Sequence, residues 1–162
     1  MALDTVPTSS QSDGRWKIAF VAIGDDPLSA ADVIAADDVT YSFTADGFDW
    51  QITETLTEDK RLTLDQNLSA PGRSTETLNL RYVDSTTAGS AAVDFVNGLE
   101  GYFVVRRGIA NATEWAASQK VDIITVRLGK QRPDAPTENG VDTISQQAAV
   151  TDVTQQKVVL SA

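Results

Sequence analysis

Apolar and polar residues alternate along most of residues 39–83. Val39, Tyr41 and Phe43 take turns with Thr40, Ser42 and Thr44. Phe48, Trp50, Ile52 and Leu56 then fall on one side, against Asp49, Gln51, Thr53, Thr55 and Thr57. The same period continues with Leu62, Leu64 and Leu68, which share a side with Gln66. It resumes with Leu78, Leu80 and Tyr82, which share a side with Glu76 and oppose Thr75, Thr77, Asn79 and Arg81. A period of two predicts strands with one face buried and one face wet, the habit of antiparallel sheets. The pair Asp46-Gly47 suits a tight hairpin turn, and Pro71-Gly72 predicts a loop between the strands of residues 61–83. Four consecutive strands are therefore expected here, two in each hairpin.

Elsewhere the patterning changes. Residues 15–23, 101–108 and 120–129 carry consecutive apolar residues without breakers, as strands covered on both faces do. Residues 28–38 fit either a short helix capped by Ser29 or an irregular strand, and strand or loop is the expectation. A helix is predicted over residues 86–99, where Ala88, Ala92, Phe95, Val96 and Leu99 recur at helical spacing, with Thr86 or Thr87 as cap. Residues 130–140 read as a polar loop with two prolines, and β-like runs follow around 143–150 and 157–160.

These elements make a mainly β domain: an antiparallel β-sandwich or barrel with one flanking α-helix, an extended hairpin arm and terminal arms. One domain spans residues 1–162, with residues 1–14 as an N-terminal arm and residues 141–162 as a C-terminal segment.

Composition narrows the chemistry. The chain has no Cys and no His, which removes disulfides, thiolate nucleophiles, imidazole bases and nearly every zinc or copper site. Adjacent acids at turns, Asp25-Asp26 and Asp37-Asp38, are not a carboxylate pair facing across a cleft, and no acidic run has calcium-loop spacing. No glycine motif for phosphate is present. No catalytic residue, cofactor or metal is therefore expected. The net charge is −10, and residues 1–60 carry 12 acids against 3 bases, so an acidic face is expected from the first third of the chain. The start of the chain has no basic and apolar signal segment, and no apolar run is long enough to span a membrane, so cytoplasmic synthesis without an anchor is expected. Trp50 is expected in the core and Trp115 on an exposed loop. Of Arg106 and Arg107, one is expected to be buried against an acid or at a subunit contact, with a solvated arginine as the alternative.

The stretch "FTADGFDWQITETLTEDKRLTLDQNLSAPGRSTETLNLRYV" resembles the tail tube (major tail) proteins of long-tailed phages, particularly those infecting actinobacteria. The likeness continues through "GYFVVRRGIANATEWAASQKVDIITVRLGKQRPDAPTENG" and covers residues 38–145. It is carried by the order of its parts rather than by any one motif. The resemblance implies a non-enzymatic virion protein, a β-sandwich with a flanking helix. Hexameric rings would stack into a hollow tube, occupied by a tape measure protein, capped by tail terminator and tail-tip proteins, and later traversed by DNA. It implies no catalytic residue.

Within that frame the expected inter-subunit loop is Ser69, Ala70, Pro71, Gly72, Arg73 and Ser74. The expected lumen wall is Asp49, Gln51, Thr53, Thr55 and Thr57, because an acidic or neutral wall does not hold phosphates. Two other readings compete. A β-sandwich binding module would recognise carbohydrate or a receptor through Trp115 and nearby loops. A capsid decoration protein would bind shells without growing into tubes.

Overall fold

The structure is a computed structural model and describes residues 12–60, 68–138 and 140–162. Eight strands and two short helices follow in the order β1 (Trp16–Ala22), α1 (Ala30–Ala35), β2 (Asp37–Asp38), β3 (Phe43–Asp59), β4 (Leu68–Val83), α2 (Ala91–Asp94), β5 (Glu100–Arg107), β6 (Lys120–Pro133), β7 (Thr143–Val150) and β8 (Gln155–Val159). A single 3-10 turn, Thr40–Ser42, precedes β3. All strands join one antiparallel sheet in the order β2-β1-β5-β6-β7-β4-β3, and β8 pairs with the start of β6.

The sheet curls into a half-barrel. Phe48 on β3 and Phe103 on β5 stand four strands apart in the pairing order, yet their rings are 5.5 Å apart. Only strong curvature brings them together. Ile18, Phe20, Leu78, Leu80, Tyr82, Val105, Ile124 and Val126 fill the inside of the curl. Phe95 plugs it, meeting the rings of Phe20, Tyr82 and Phe103. A second apolar layer lies on the other face of β1, β5 and β6, where Val21, Val104, Val121 and Ile123 are covered by Ala30 and Val33 of α1, by Trp115 and by Leu160. This double cover is why β5 and β6 carry unbroken apolar runs.

The mainly β antiparallel architecture agrees with the sequence, and the sandwich-or-barrel alternative resolves to a curled single sheet. Several local expectations are corrected. Asp46-Gly47 does not turn a hairpin. The strand expected over residues 39–44 is mostly the 3-10 turn Thr40–Ser42, and its last residues join the second expected strand in one strand, β3, with an irregularity between Phe43 and Phe48. Gly47 serves close approach there, since a Cβ would collide with the Arg81 carbonyl on β4. Pro71-Gly72 likewise lies inside β4, at a bulge opposite Thr55. The strand expected over residues 61–67 lies outside the described residues, as does most of the N-terminal arm.

Residues 28–38 hold a helix rather than the expected strand or loop. Ser29 caps α1 by accepting a hydrogen bond from the Asp32 amide. The helix expected over residues 86–99 shrinks to Ala91–Asp94. Gly89 and Gly98 adopt φ of 81° and 85°, which a right-handed helix cannot contain, so the chain turns at both points and drops Phe95 into the core. β6 runs on to Pro133 through residues expected to be loop, because β7 pairs with it as far as Ile144.

Candidate assembly surfaces

Three surfaces stand out once the core is accounted for. The first is the β3–β4 arm. From Gln51 onward both faces of β3 are exposed, and so are both faces of β4 from Leu68 to Thr75. Nine residues of extended chain, Gln51 to Asp59, reach about 30 Å. Ile52, Leu56 and Leu68 are exposed on it, an apolar content that the arm's own fold does not cover. The expected inter-subunit residues Ser69, Ala70, Pro71, Gly72, Arg73 and Ser74 all lie on this arm, but as strand rather than loop. Ser69, Ala70 and Pro71 pair with Glu58, Thr57 and Leu56, and Ser74 pairs with Glu54. The Pro-Gly pair was a turn signal only in isolation. Here Thr55 donates its hydroxyl hydrogen bond to the Arg73 carbonyl and helps hold the bulge.

The base of the arm is fastened to the C-terminal segment. Glu76 accepts hydrogen bonds from the Trp50 indole at 3.2 Å and from the Thr154 hydroxyl. Trp50 packs against the core, as expected.

The second surface is the sheet edge. β3 ends the pairing order, so its outer backbone groups over residues 43–58 have no strand partner among the described residues. Such an edge is a template for another chain.

The third is the outer face of β3, β4, β7 and the second half of β6, over which no second layer lies among the described residues. A broad groove runs across it, lined by Asp46, Asp49, Thr77, Asn79, Arg81, Arg127, Lys130, Arg132, Ser145 and Gln147. Cross-strand pairing puts Asp49 beside Asn79, Gln51 beside Thr77, Thr53 beside Thr75 and Thr57 beside Ala70. The expected lumen residues Asp49, Gln51, Thr53 and Thr57, with Thr55 at the bulge, therefore follow one face of β3, as the alternation required. The expected acidity does not gather there. Asp25, Asp26, Asp32, Asp37 and Asp38 sit around α1 and β2 at the opposite end of the sheet, while the open face carries bases on β6. Charge summed along the sequence had no means of separating these ends.

Asp134 organises one side of this face. It accepts from Ser145 Oγ at 2.7 Å, from Thr143 Oγ1 at 2.8 Å and from Arg81 Nε at 3.1 Å. The hydroxyl bonds from Ser145 and Thr143, with Arg81 adding to them, hold its carboxyl below the usual carboxylate range. Inside the curl, Gln146 accepts from the Tyr82 hydroxyl, and burial pushes that phenol up to about 12.

Trp115 is buried, not exposed as expected. It forms part of the second core layer, with Arg106 over its ring at 4.9 Å and Lys17 at 5.7 Å. The polar run around it gave no local sign of this, because the apolar partners come from distant strands. Arg106 and Arg107 point to opposite faces as the strand period demands. Arg107 pairs with the buried Asp122 and lies over Trp16. Arg106 is wholly buried and meets no acid at bonding distance. It donates to the carbonyls of Glu114, Ala110 and Thr113 and to Gln119 Oε1, between 2.8 and 3.0 Å, and its Nε has no partner. Burial lowers its pKa from the ordinary arginine value. This group ties the segment 108–119 to β5.

Among the described residues no cluster of acids could hold a metal ion, and no helix is long and apolar enough to cross a membrane.

Comparison with known families decides between the readings. The family model for phage tail tube proteins matches residues 3–162. The chain belongs to the phage tail tube protein family. The tail tube resemblance read from the sequence therefore holds over nearly the whole chain, beyond the 38–145 segment that carried it. Family membership gives a structural role in the phage tail, location in the virion, self-assembly into a tube and no enzymatic activity. The fold is also similar to a chain in the cryo-EM structure of the anti-feeding prophage baseplate, 6-fold symmetrised. The TM-score is 0.61 at 10% identity, covering 93% of this chain and 95% of that one. No curated protein matches the sequence.

Proposed function

We propose that this tail tube protein forms hexameric rings that stack into the conduit through which phage DNA is ejected. The observation that carries the reading is the β3–β4 arm: about 30 Å of paired strand, uncovered on both faces and bearing exposed Ile52, Leu56 and Leu68. A monomer gains nothing from such an arm, whereas a head-to-tail neighbour buries it. Residues Ser69, Ala70, Pro71, Gly72, Arg73 and Ser74 then contact an adjacent subunit or ring as the second strand of the arm. Asp49, Gln51, Thr53, Thr55 and Thr57 line the lumen together with Thr75, Thr77, Asn79 and Gln147. Their short polar side chains offer phosphates no continuous positive track. A tape measure protein occupies the lumen before ejection, and terminator and tail-tip proteins close the ends. Sixfold symmetry is proposed for this chain because its fold resembles one in an assembly solved with that symmetry. Burial of Trp115 removes the aromatic platform on which the carbohydrate-binding alternative rested.

Negative-stain electron microscopy over a concentration series tests the proposal. The parent chain should give rings or hollow tubes of uniform width. A variant with Gln51 joined to Thr77 through a two-residue Asn-Gly turn should stay folded and monomeric. Monomers of the parent at every concentration, or ordinary tubes from the shortened variant, would refute it.

A further inference from the structure

The charges on the open face are sorted by strand. β3 carries Asp46 and Asp49, and β6 carries Lys130 and Arg132. The strands between them present Thr77, Asn79, Ser145, Gln147 and Ala149, with Arg81 already held by Asp134. Three inter-strand steps separate β3 from β6, about 14 Å along the sheet. That exceeds the screening length of about 8 Å at physiological salt, so acids and bases on one molecule scarcely attract each other. Among the described residues neither Lys130 nor Arg132 has an ion-pair partner.

Both charged strands border the face on a margin without a strand neighbour. β3 ends the sheet. β5 pairs with β6 only as far as Arg127, so residues 129–133 have β7 on one side and, among the described residues, no strand on the other, where only Gln131 reaches across to the Ala92 carbonyl. In a closed ring of identical copies, one margin of each copy meets the opposite margin of the next.

We infer that the lateral joint within the ring, where the edge of the lumen face of one copy meets that of the next, sets the β3 margin of one copy, through Asp46 and Asp49, against the β6 margin of a second copy, through Lys130 and Arg132. This rests on the ring reading above and names the contact that closes it. Opposite charges at the seam fix which margins meet and disfavour acid-to-acid and base-to-base contacts. The four residues are surface groups outside both apolar clusters, so exchanging them leaves the subunit fold in place.

Charge exchange with rescue tests the joint. Asp46→Lys with Asp49→Lys makes both margins basic, and Lys130→Glu with Arg132→Glu makes both acidic. Each double variant alone should raise the concentration for half-assembly at least about tenfold. Mixing the two should restore assembly, because basic margins then meet acidic ones. All four exchanges in one chain should restore it as well. Circular dichroism and thermal melting of each variant establish that the subunit is folded. Double variants that assemble like the parent would overturn the joint, as would folded fourfold variants that stay monomeric. A parent chain that never forms rings would overturn the ring reading and the joint with it, so the two failures are distinguishable.

Discussion

Replacing Arg106 with alanine tests whether a buried cation without an acidic partner organises the segment between β5 and β6. The side chain is fully buried and donates four hydrogen bonds, three to backbone carbonyls and one to Gln119, while stacking on Trp115. Alanine removes the cation–π contact, worth about 1–2 kcal/mol at a buried site. It also removes the charged donor from the carbonyls of Ala110, Thr113 and Glu114, a loss of about 1.5–3 kcal/mol each, although these keep their second bonds from the Thr113 amide, Lys17 and Gln119. These losses are not additive, because one water can serve two carbonyls, and a net cost of about 3–5 kcal/mol follows. For a domain of this size each kcal/mol moves the melting midpoint by about 2–4 °C, so a fall of about 6–20 °C is expected by circular dichroism. Limited proteolysis should cut between Gly108 and Gln119 in the variant and not in the parent. Arg106→Lys should recover less than half of the loss, since a single ammonium cannot reach acceptors placed around both guanidinium arms. A fall below about 2 °C, with the segment still resistant, would refute the reasoning.

Two further predictions concern the open face. Asp134 has its carboxyl held below the usual range by Ser145, Thr143 and Arg81, so its stabilising contribution is present above the unfolded carboxylate value and is lost as pH falls through the lower folded value. Asp134→Asn should therefore flatten the acid side of a melting-temperature profile below about pH 4 and lower the plateau at neutral pH; an unchanged profile would contradict this. Gly47→Ala should destabilise by about 2 kcal/mol or more in urea unfolding, because a Cβ there meets the Arg81 carbonyl and the β3 irregularity must shift; a cost under about 0.5 kcal/mol would show that the close approach is not needed.

Legibility in the sequence followed how local each cause was. The alternation of Phe48 and Trp50 against Asp49 placed the open face of β3 correctly, because the strand period belongs to the backbone itself. Ile52 and Leu56, expected on the buried face, are exposed because the subunit supplies no layer beyond Gln51. The unbroken apolar runs of β5 and β6 announced burial on two sides. Asp46-Gly47 and Pro71-Gly72 misled because the same residues serve turns and bulges, and only the partner strand decides which. Trp115 misled because its cover comes from Val21, Val104 and Leu160, far away in the chain. The margin charges of the open face were invisible for a related reason: Asp49 and Lys130 become parts of one pattern only when β7 and β4 lie between them.

The uneven cover of the sheet gives the subunit a gradient of stiffness. β5 and the first half of β6 are gripped by apolar layers on both faces, while the arm of β3 and β4 has solvent on both. Amide exchange should run slowly at one end and fast at the other. Under the proposed stacking of rings, the gripped end would keep each ring's shape and the arms would act as hinges. A tail built that way would flex along its length while its bore stayed round.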